Sequence, residues 1–370
     1  MPYTQQWNLT FERQLPWLTS LRMSYTGNRG IGLVKLGLDN LPIHDPVNGV
    51  FVVDHPNNAA AQRGQIIRPA ADLFCAGTTA TTTTTLCPVA VPIGTLEYSR
   101  IVPRTNERRP DPRYGTNIIV NNSAWSYYNG LQVEFIKQLS DGLNFSAAYT
   151  WSQSLDTNSD ATFLGAGDSN QNGNDAAVSR GYSRFHTPHR FTFFGTYQHP
   201  FFDKDDGILG YVLGGWRTSL VFRWAHGTPF TVTGTGIDLN LDGFAETRPK
   251  LLDPSILGNS ISNPATSQQL LPQSAFTSPT STADFNCCIL GRNTFFIDGT
   301  KTVDLAFSKE FRMPWEGHSL TLRADMFNAF NKFQWGFPNS TYTSTTLGVL
   351  STAATSYAPR TIQMSLRYMF

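Results

Sequence analysis

The chain has 370 residues, of which 40% are hydrophobic and 13% aromatic, but only 15% carry charge. Soluble domains average about 25% charged residues, whereas here Thr, Ser, Asn and Gln occupy many of the polar positions. That mixture is typical of a wall with lipid on one side and a polar lumen on the other. The formal net charge of +1 excludes the basic footprint of a nucleic-acid-binding protein. The absence of a run of about 18 apolar residues excludes a transmembrane helix.

Strict alternation of apolar and polar residues recurs along the chain and predicts β-strands, because a period of two places one set on each face. The alternating segments are 7–11, 21–25, 131–135, 143–151, 191–197, 216–224, 303–307, 320–326 and 362–370, with breaks that include Phe194 and Val221. We therefore predict about nine strands of up to about ten residues, the length that crosses a bilayer when tilted. The pattern predicts no amphipathic helix.

The connections between these segments alternate in length. Short links are predicted at 14–17, 140–142, 201–207 and 312–317, and long links at roughly 37–114, 153–188, 227–300 and 331–358. Bacterial outer-membrane barrels have short periplasmic turns and long extracellular loops. The sequence thus predicts an all-β fold, an antiparallel transmembrane β-barrel wall with aromatic residues near the strand ends. The alternative is a soluble β-sandwich with those aromatic residues in its core.

Charged residues on the polar faces of the predicted strands are the main candidates for function. They are Arg22, Glu134, Arg190, Arg217, Arg223, Asp304, Arg323, Asp325 and Arg367. In a barrel they would line the lumen, where they could pair with each other, contact a plug or bind a passing solute. We expect pairing for most of them, since buried charges are costly unless partnered.

Two long connections contain candidates for covalent or metal chemistry. Cys75 and Cys87 flank a threonine-rich stretch and could form a loop disulfide in an oxidising compartment, with two unpaired cysteines as the alternative. Asp238, Asn240 and Asp242 resemble the start of a calcium loop, but the glutamate at the full loop spacing is absent. An Asx-rich turn is therefore the favoured interpretation.

The sequence contains no recognisable nucleophile–base pair or carboxylate pair, so we predict neither an enzyme nor a cofactor. His186 and His189 are close enough in sequence to share a metal ion. A polar role where a strand begins is the favoured interpretation of both.

Several short segments occur in a fixed order along nearly the whole chain. They are PYTQQWNL (2–9), SYTGNRG (24–30), YYNGLQV (127–133), AAYTWS (147–152), TPHRF (187–191), GTPFT (227–231), LGRNT (290–294), RADMFNAFN (323–331) and LRYMF (366–370). In this order they resemble the C-terminal barrel of TonB-dependent outer-membrane receptors. The group with the greatest similarity is the Oar-like transporters with a carboxypeptidase regulatory-like domain.

The resemblance implies that residues 1–370 form a single C-terminal barrel segment. Members of that family begin with a signal peptide and a small β-sandwich domain, followed by a plug domain inside a barrel of about 22 strands. Nine strands would be the last nine of these, and Met1–Trp7 has no signal-peptide pattern. An odd number of antiparallel strands also conflicts with the even numbers of bacterial barrels. We therefore expect a fragment or a shortened paralogue that lacks the plug and the signal peptide.

The resemblance further implies an outer-membrane protein for the uptake or export of a bulky solute. Its partners would be outer-membrane lipid, the solute, and the TonB complex acting through the plug. In such barrels a terminus like Tyr368–Phe370 is the signal read by the barrel assembly machinery. The alternatives are a surface-exposed binding or adhesin barrel, which would use the loops 37–114 and 227–300, and a passive porin.

Overall fold

A computed structural model describes most of the chain. The described residues are 1–40, 51–53, 65–67, 114, 117–159, 179–201, 207–236, 247–280, 284, 287–313, 315 and 317–370. Among them, no helix is both long and apolar enough to span a bilayer.

The described structure is dominated by strands. In chain order they are β1 (Tyr3–Leu15), β2 (Thr19–Asp39), β3 (Phe51–Val53), β4 (Gln65–Ile67), β5 (Asn117–Ser140), β6 (Leu143–Asp156), β7 (Gly181–Tyr182), β8 (His189–Gln198), β9 (Trp216–Ala225), β10 (Pro229–Phe230), β11 (Lys250–Leu251), β12 (Ser260–Ile261), β13 (Phe276–Thr277), β14 (Phe295–Ile297), β15 (Thr300–Arg312), β16 (Ser319–Phe327) and β17 (Thr361–Met369). The helices are α1 (Ile208–Leu213) and α2 (Ser267–Leu270), with 3₁₀ turns at Pro254–Ile256 and Gln273–Ala275.

Nine long strands form one sheet in the order β1-β2-β5-β6-β8-β9-β15-β16-β17, with the short β7 paired to β6. Every neighbouring pair on this path is antiparallel. Each of the nine predicted strands is present, and we call this sheet the wall. Successive connections lie at alternating ends of it, so one end has the turns and the other has the long loops.

The Asp141-Gly142 turn shows why a short connection can be predicted from sequence. Both residues have positive φ, 52° and 76° respectively. A two-residue hairpin of this type needs left-handed backbone at both positions, and Asp-Gly supplies it at low cost. The short links predicted at 14–17 and 312–317 are also confirmed as connections between adjacent strands, since β1 ends at Leu15 and β2 begins at Thr19, while β15 ends at Arg312 and β16 begins at Ser319.

The short link predicted at 201–207 is wrong in length. β8 ends at Gln198 and β9 begins at Trp216, and α1 lies between them. The Asp206-Gly207 pair has the composition of a hairpin turn, but the apolar run that follows it folds as a helical turn instead. The Trp216 indole N–H donates to the carbonyl of Val212 at 3.1 Å, and Tyr211 lies 5.6 Å from the Phe311 ring. These contacts hold α1 against the wall.

β2 and β5 are longer than the predicted ten residues, at 21 and 24 residues. They remain paired from Thr19 opposite Lys137 to Asp39 opposite Asn117, with register shifts between Ile31 and Lys35. Mutual pairing satisfies their backbone groups beyond the length that a bilayer requires. The two strands therefore project past the wall on the loop side.

The hydrophobic core lies in the loops and not in the wall. Its buried members are Phe230, Val232, Ile256, Ile261, Leu271, Ala275, Phe276, Leu290, Phe295, Tyr342, Leu347 and Leu350. Large apolar side chains of the wall are instead exposed, including Leu9 (75%), Met364 (71%) and Leu366 (66%). An exposed apolar face of this extent needs an apolar surrounding.

Candidate functional site

The strand register sorts the charged side chains of the wall onto one face. Residues directly opposite each other in a sheet project to the same side, and alternate residues to opposite sides. Following the pairings across the sheet places all nine candidates on the same face: Arg22, Glu134, Arg190, Arg217, Arg223, Asp304, Arg323, Asp325 and Arg367. We call this the polar face of the wall.

Ion pairs connect only some of these charges. Arg223 pairs with Asp304 at 3.3 Å, and Arg323 pairs with Asp325 at 2.7 Å. Arg22 lies 3.9 Å from Glu12, which precedes it in the wall. Three further arginines are exposed and form no ion pair within the described ranges: Arg190, Arg217 and Arg367. Exposed pairs contribute roughly 0–1 kcal/mol each, so stability does not explain this accumulation of charge.

A depression of about 260 Å³ lies on the polar face over β1, β2 and β5. Its lining is hydrophilic and consists of Asn8, Thr10, Arg22, Ser24, Thr26, Gln132 and Glu134. Thr10 and Ser24 are hydrogen-bonded to each other at 3.1 Å, while Arg22 and Glu134 face each other in the register. The depression offers charges of both signs and two side-chain amides, which suits a polar solute.

The opposite, apolar face carries a different set of charges. Outside the projecting parts of β2 and β5, its charged residues are all cations: Arg13, Arg29, Lys137, Lys301 and Lys309. They lie towards the ends of their strands, with aromatic and aliphatic residues between. Long basic side chains at strand ends reach the headgroup level of a bilayer while their stems stay in apolar surroundings.

The described residues of the two long connections 226–299 and 328–360 form one compact body on the loop side, which we call the cap. It contains the hydrophobic core described above. Thr233 joins the two connections, because its N–H donates to the carbonyl of Ser340 at 3.0 Å and its carbonyl accepts from Tyr342 at 2.9 Å. The Gln273 amide also donates to the Tyr342 carbonyl at 3.0 Å. The long loops are therefore a folded unit.

Arg292 fastens the cap to the end of β6. Its side chain is 1% exposed and forms an ion pair with Asp156, whose side chain is 7% exposed. The same guanidinium donates to the carbonyls of Asp156 at 2.8 Å and Ser179 at 3.0 Å. The sequence pattern predicted a role for neither residue, because Arg292 occurs within the LGRNT segment and Asp156 ends a strand. A charged residue within an otherwise uncharged loop segment was the available signal.

A second arginine is buried close to Arg292. The Arg248 guanidinium donates to the carbonyl of Leu290 at 3.1 Å. Burial, and then the neighbouring Arg292 charge, lower the pKa of Arg248 to about 9. With two guanidinium groups inside the cap, the carboxylate of Asp156 is important for charge balance.

Three histidines and their aromatic neighbours connect the cap to the wall. His186 stacks on Tyr182 with ring centroids 4.4 Å apart, and its Nδ1 accepts from the Ser154 N–H at 3.2 Å. The ring centroids of His189 and His226 lie 6.4 Å apart. Burial, followed by the charges of His226 and His189, lowers the pKa of His186 to about 4. The interpretation of His186 and His189 as polar residues where a strand begins agrees with these contacts.

Acidification is expected to loosen this junction through His186. The unfolded chain takes up a proton near pH 6.5, whereas the folded junction resists protonation until about pH 4. The contribution of neutral His186 to stability is therefore complete above pH 6.5 and is lost as the pH falls towards 4. Hydrogen-exchange protection of residues 181–188 should fall across that window in the wild type. His186→Asn keeps an acceptor for the Ser154 N–H without titrating, so an unchanged decrease in this variant would contradict the assignment.

The remaining candidates have different outcomes. Cys75, Cys87, Asp238, Asn240 and Asp242 lie outside the described residues. Within the described ranges, no three His, Cys, Asp or Glu side chains are grouped to hold a metal ion. The adjacent Cys287 and Cys288 form a disulfide.

At the C-terminus, Tyr368 lies on the apolar face of β17 and its hydroxyl is 2.5 Å from His318 Nδ1. Phe370 follows the end of the strand and is 92% exposed. Both aromatic residues are thus available at the turn end of the wall, where the predicted assembly signal would be read.

The chain matches the family of outer membrane beta barrel domains over residues 1–363. It belongs to that family. The wall is therefore part of an antiparallel transmembrane β-barrel, and the protein is located in the bacterial outer membrane. The apolar face is the surface that contacts lipid, and the turn end is the periplasmic end.

Two solved structures are similar to this chain at low identity. One is the outer membrane transporter YddB from Escherichia coli, at 10% identity and a TM-score of 0.43, covering 100% of this chain and 32% of that one. Another is the pyoverdine outer membrane receptor FpvA from Pseudomonas aeruginosa PAO1 bound to pyoverdine, at 12% identity and a TM-score of 0.38, covering 100% and 30%. The chain thus spans about a third of the length of these proteins. No curated protein matches it.

Proposed function

We propose that the protein is an outer-membrane transport protein whose polar face lines the path of a bulky solute. The observation that carries this proposal is the separation of charge across the wall. Nine candidate charges share the polar face, and the other face, which contacts lipid, has only cations towards its strand ends. A wall that merely anchored a protein in the membrane would not need charges of both signs on its inner side.

Residues 1–370 act in this proposal as a C-terminal barrel segment of a larger transporter. The resemblance to TonB-dependent receptors supports a plug domain that transmits energy from the TonB complex. It also supports delivery of the terminal strand to the barrel assembly machinery through Tyr368 and Phe370. Uptake and export are both compatible with the polar face. The cap on the loop side would control access from outside.

The cap also favours a second candidate, a surface-exposed binding or adhesin barrel. Its dozen buried core residues make the loops a folded body, and a folded body can present a fixed surface to a partner. In that case the polar face would only hold water and would not need to conduct.

Ion selectivity in planar bilayers separates these functions. Arg190 and Lys301 lie at the same end of neighbouring parts of the wall, opposite Ala225 and Trp224, and project to opposite faces. With the full chain, we expect Arg190→Gln to shift the reversal potential in a salt gradient towards cation selectivity. Lys301→Gln removes the same charge from the lipid side and should leave the reversal potential unchanged.

The transport proposal fails if the two variants shift the reversal potential by the same amount. Absence of conductance together with retained binding to surfaces would favour the adhesin function. Conductance that persists for large solutes without energy from TonB would favour a passive porin.

A further inference from the structure

A second depression lies on the apolar face of the wall near its periplasmic end, and we call it the groove. It has a volume of about 370 Å³ and is lined by His199, Phe201, Leu213, Trp216, Thr218 and Phe307. Thr218 is its floor, because it lies in register between Tyr197 on β8 and Phe307 on β15. A small residue between two aromatic ones leaves a gap on the apolar face.

Hydrogen bonds fix several of the side chains around the groove. His199 Nε2 is hydrogen-bonded to the Thr218 hydroxyl at 2.8 Å, which satisfies the polar group on the floor. The hydrogen bond to the Val212 carbonyl fixes the Trp216 ring at one side. Lys309, 2% exposed, donates to the Gly214 carbonyl at the end of α1 and lies 5.1 Å from the centre of the Phe311 ring. α1 is thereby held beside the groove.

The residues of α1 themselves point to a membrane interface. Ile208 is 84% exposed, Tyr211 50% and Val212 49%. An apolar segment with this exposure is stable where its side chains enter the boundary between headgroups and acyl chains. Because α1 continues the lipid-facing surface at the periplasmic end, it lies at the level of the inner leaflet.

We propose that the groove holds one acyl chain of a phospholipid from the periplasmic leaflet. The groove is continuous with the lipid-facing surface, so an acyl chain can enter it without crossing water. Apart from the buried Lys309, the charges of the apolar face at this end are Arg13 and Lys137, both cations, and they complement lipid phosphates. The groove is thus a specific lipid site within a wall that otherwise contacts lipid without selection.

Lipid retention tests the proposal directly. The full chain is reconstituted in vesicles of phosphatidylethanolamine and phosphatidylglycerol and extracted in mild detergent. Native mass spectrometry then measures the mass of the protein with any lipid that remains bound. We expect one phospholipid to remain bound to the wild type. Thr218→Phe fills the groove and should reduce the bound fraction by about tenfold, which corresponds to about 1.4 kcal/mol. Leu220→Phe places the same aromatic ring on the same face of β9 outside the groove and should retain the lipid.

A second measurement does not depend on a variant that fills the groove. In vesicles with bromine on the acyl chains, the fluorescence of Trp216, obtained as the difference between wild type and Trp216→Phe, should be quenched. An unquenched Trp216 would overturn the proposal. So would equal retention in wild type and Thr218→Phe, a wild type without bound lipid, or retention of lipopolysaccharide in place of phospholipid.

Discussion

Asp156→Asn is expected to detach the cap from the wall, at a cost of about 3–5 kcal/mol in the free energy of local opening. The substitution keeps the shape and an acceptor but removes the negative charge. Arg292 would then remain buried, with Arg248 as a neighbouring cation. A buried charge that loses its partner is far more destabilising than a lost surface pair.

Hydrogen exchange measured by mass spectrometry checks this result on peptides that cover residues 287–299. Their protection should collapse in Asp156→Asn while the peptides of β15 and β16 stay protected. Asp325→Asn is the matched control, because its partner Arg323 is exposed and the expected loss is only roughly 0–1 kcal/mol. Equal protection of the cap in wild type and Asp156→Asn would show that the ion pair does not hold it.

Phe295→Ala should unfold the interior of the cap, with a loss of about 3–5 kcal/mol. Phe295 is fully buried, and its ring lies 6.0 Å from both Phe230 and Phe276. The cavity would open between three segments that are distant in sequence, so the surroundings cannot close it locally. Phe337→Ala removes the same ring from a position of the cap that is 59% exposed and should cost much less.

Proteolysis of intact cells distinguishes these variants. The cap of Phe295→Ala should be cleaved much faster than that of wild type or Phe337→Ala, while the strands in the membrane stay intact. If cleavage is equally slow in all three proteins, the loop core does not stabilise the cap.

The wall could be predicted from sequence because the patterns that define its strands and turns are local in the chain. Alternation within ten residues defines each strand, and the Asp141-Gly142 turn defines a hairpin. The two interruptions of the alternating pattern, Phe194 and Val221, are explained by the register, in which they lie directly opposite each other. Two apolar residues in contact on the polar face exclude water from each other.

The cap could not be predicted because its contacts are non-local. Phe230, Phe276 and Phe295 occur in loops without a period, and only the folded chain brings them to Tyr342. α1 was missed for a related reason, because its six residues are too few for a helical pattern and an Asp-Gly pair precedes them. The partner of Arg292 lies 136 residues away, at the end of another strand.

The most direct test of the central claim is the environment of alternate residues along β9. Spin labels at Leu220 and Phe222 should collide with oxygen dissolved in lipid, and labels at Ser219 and Val221 with a water-soluble nickel chelate. Measured in outer membranes that contain the full chain, accessibility should alternate with a period of two. The same accessibility at all four positions would contradict a wall with lipid on one face and a polar path on the other.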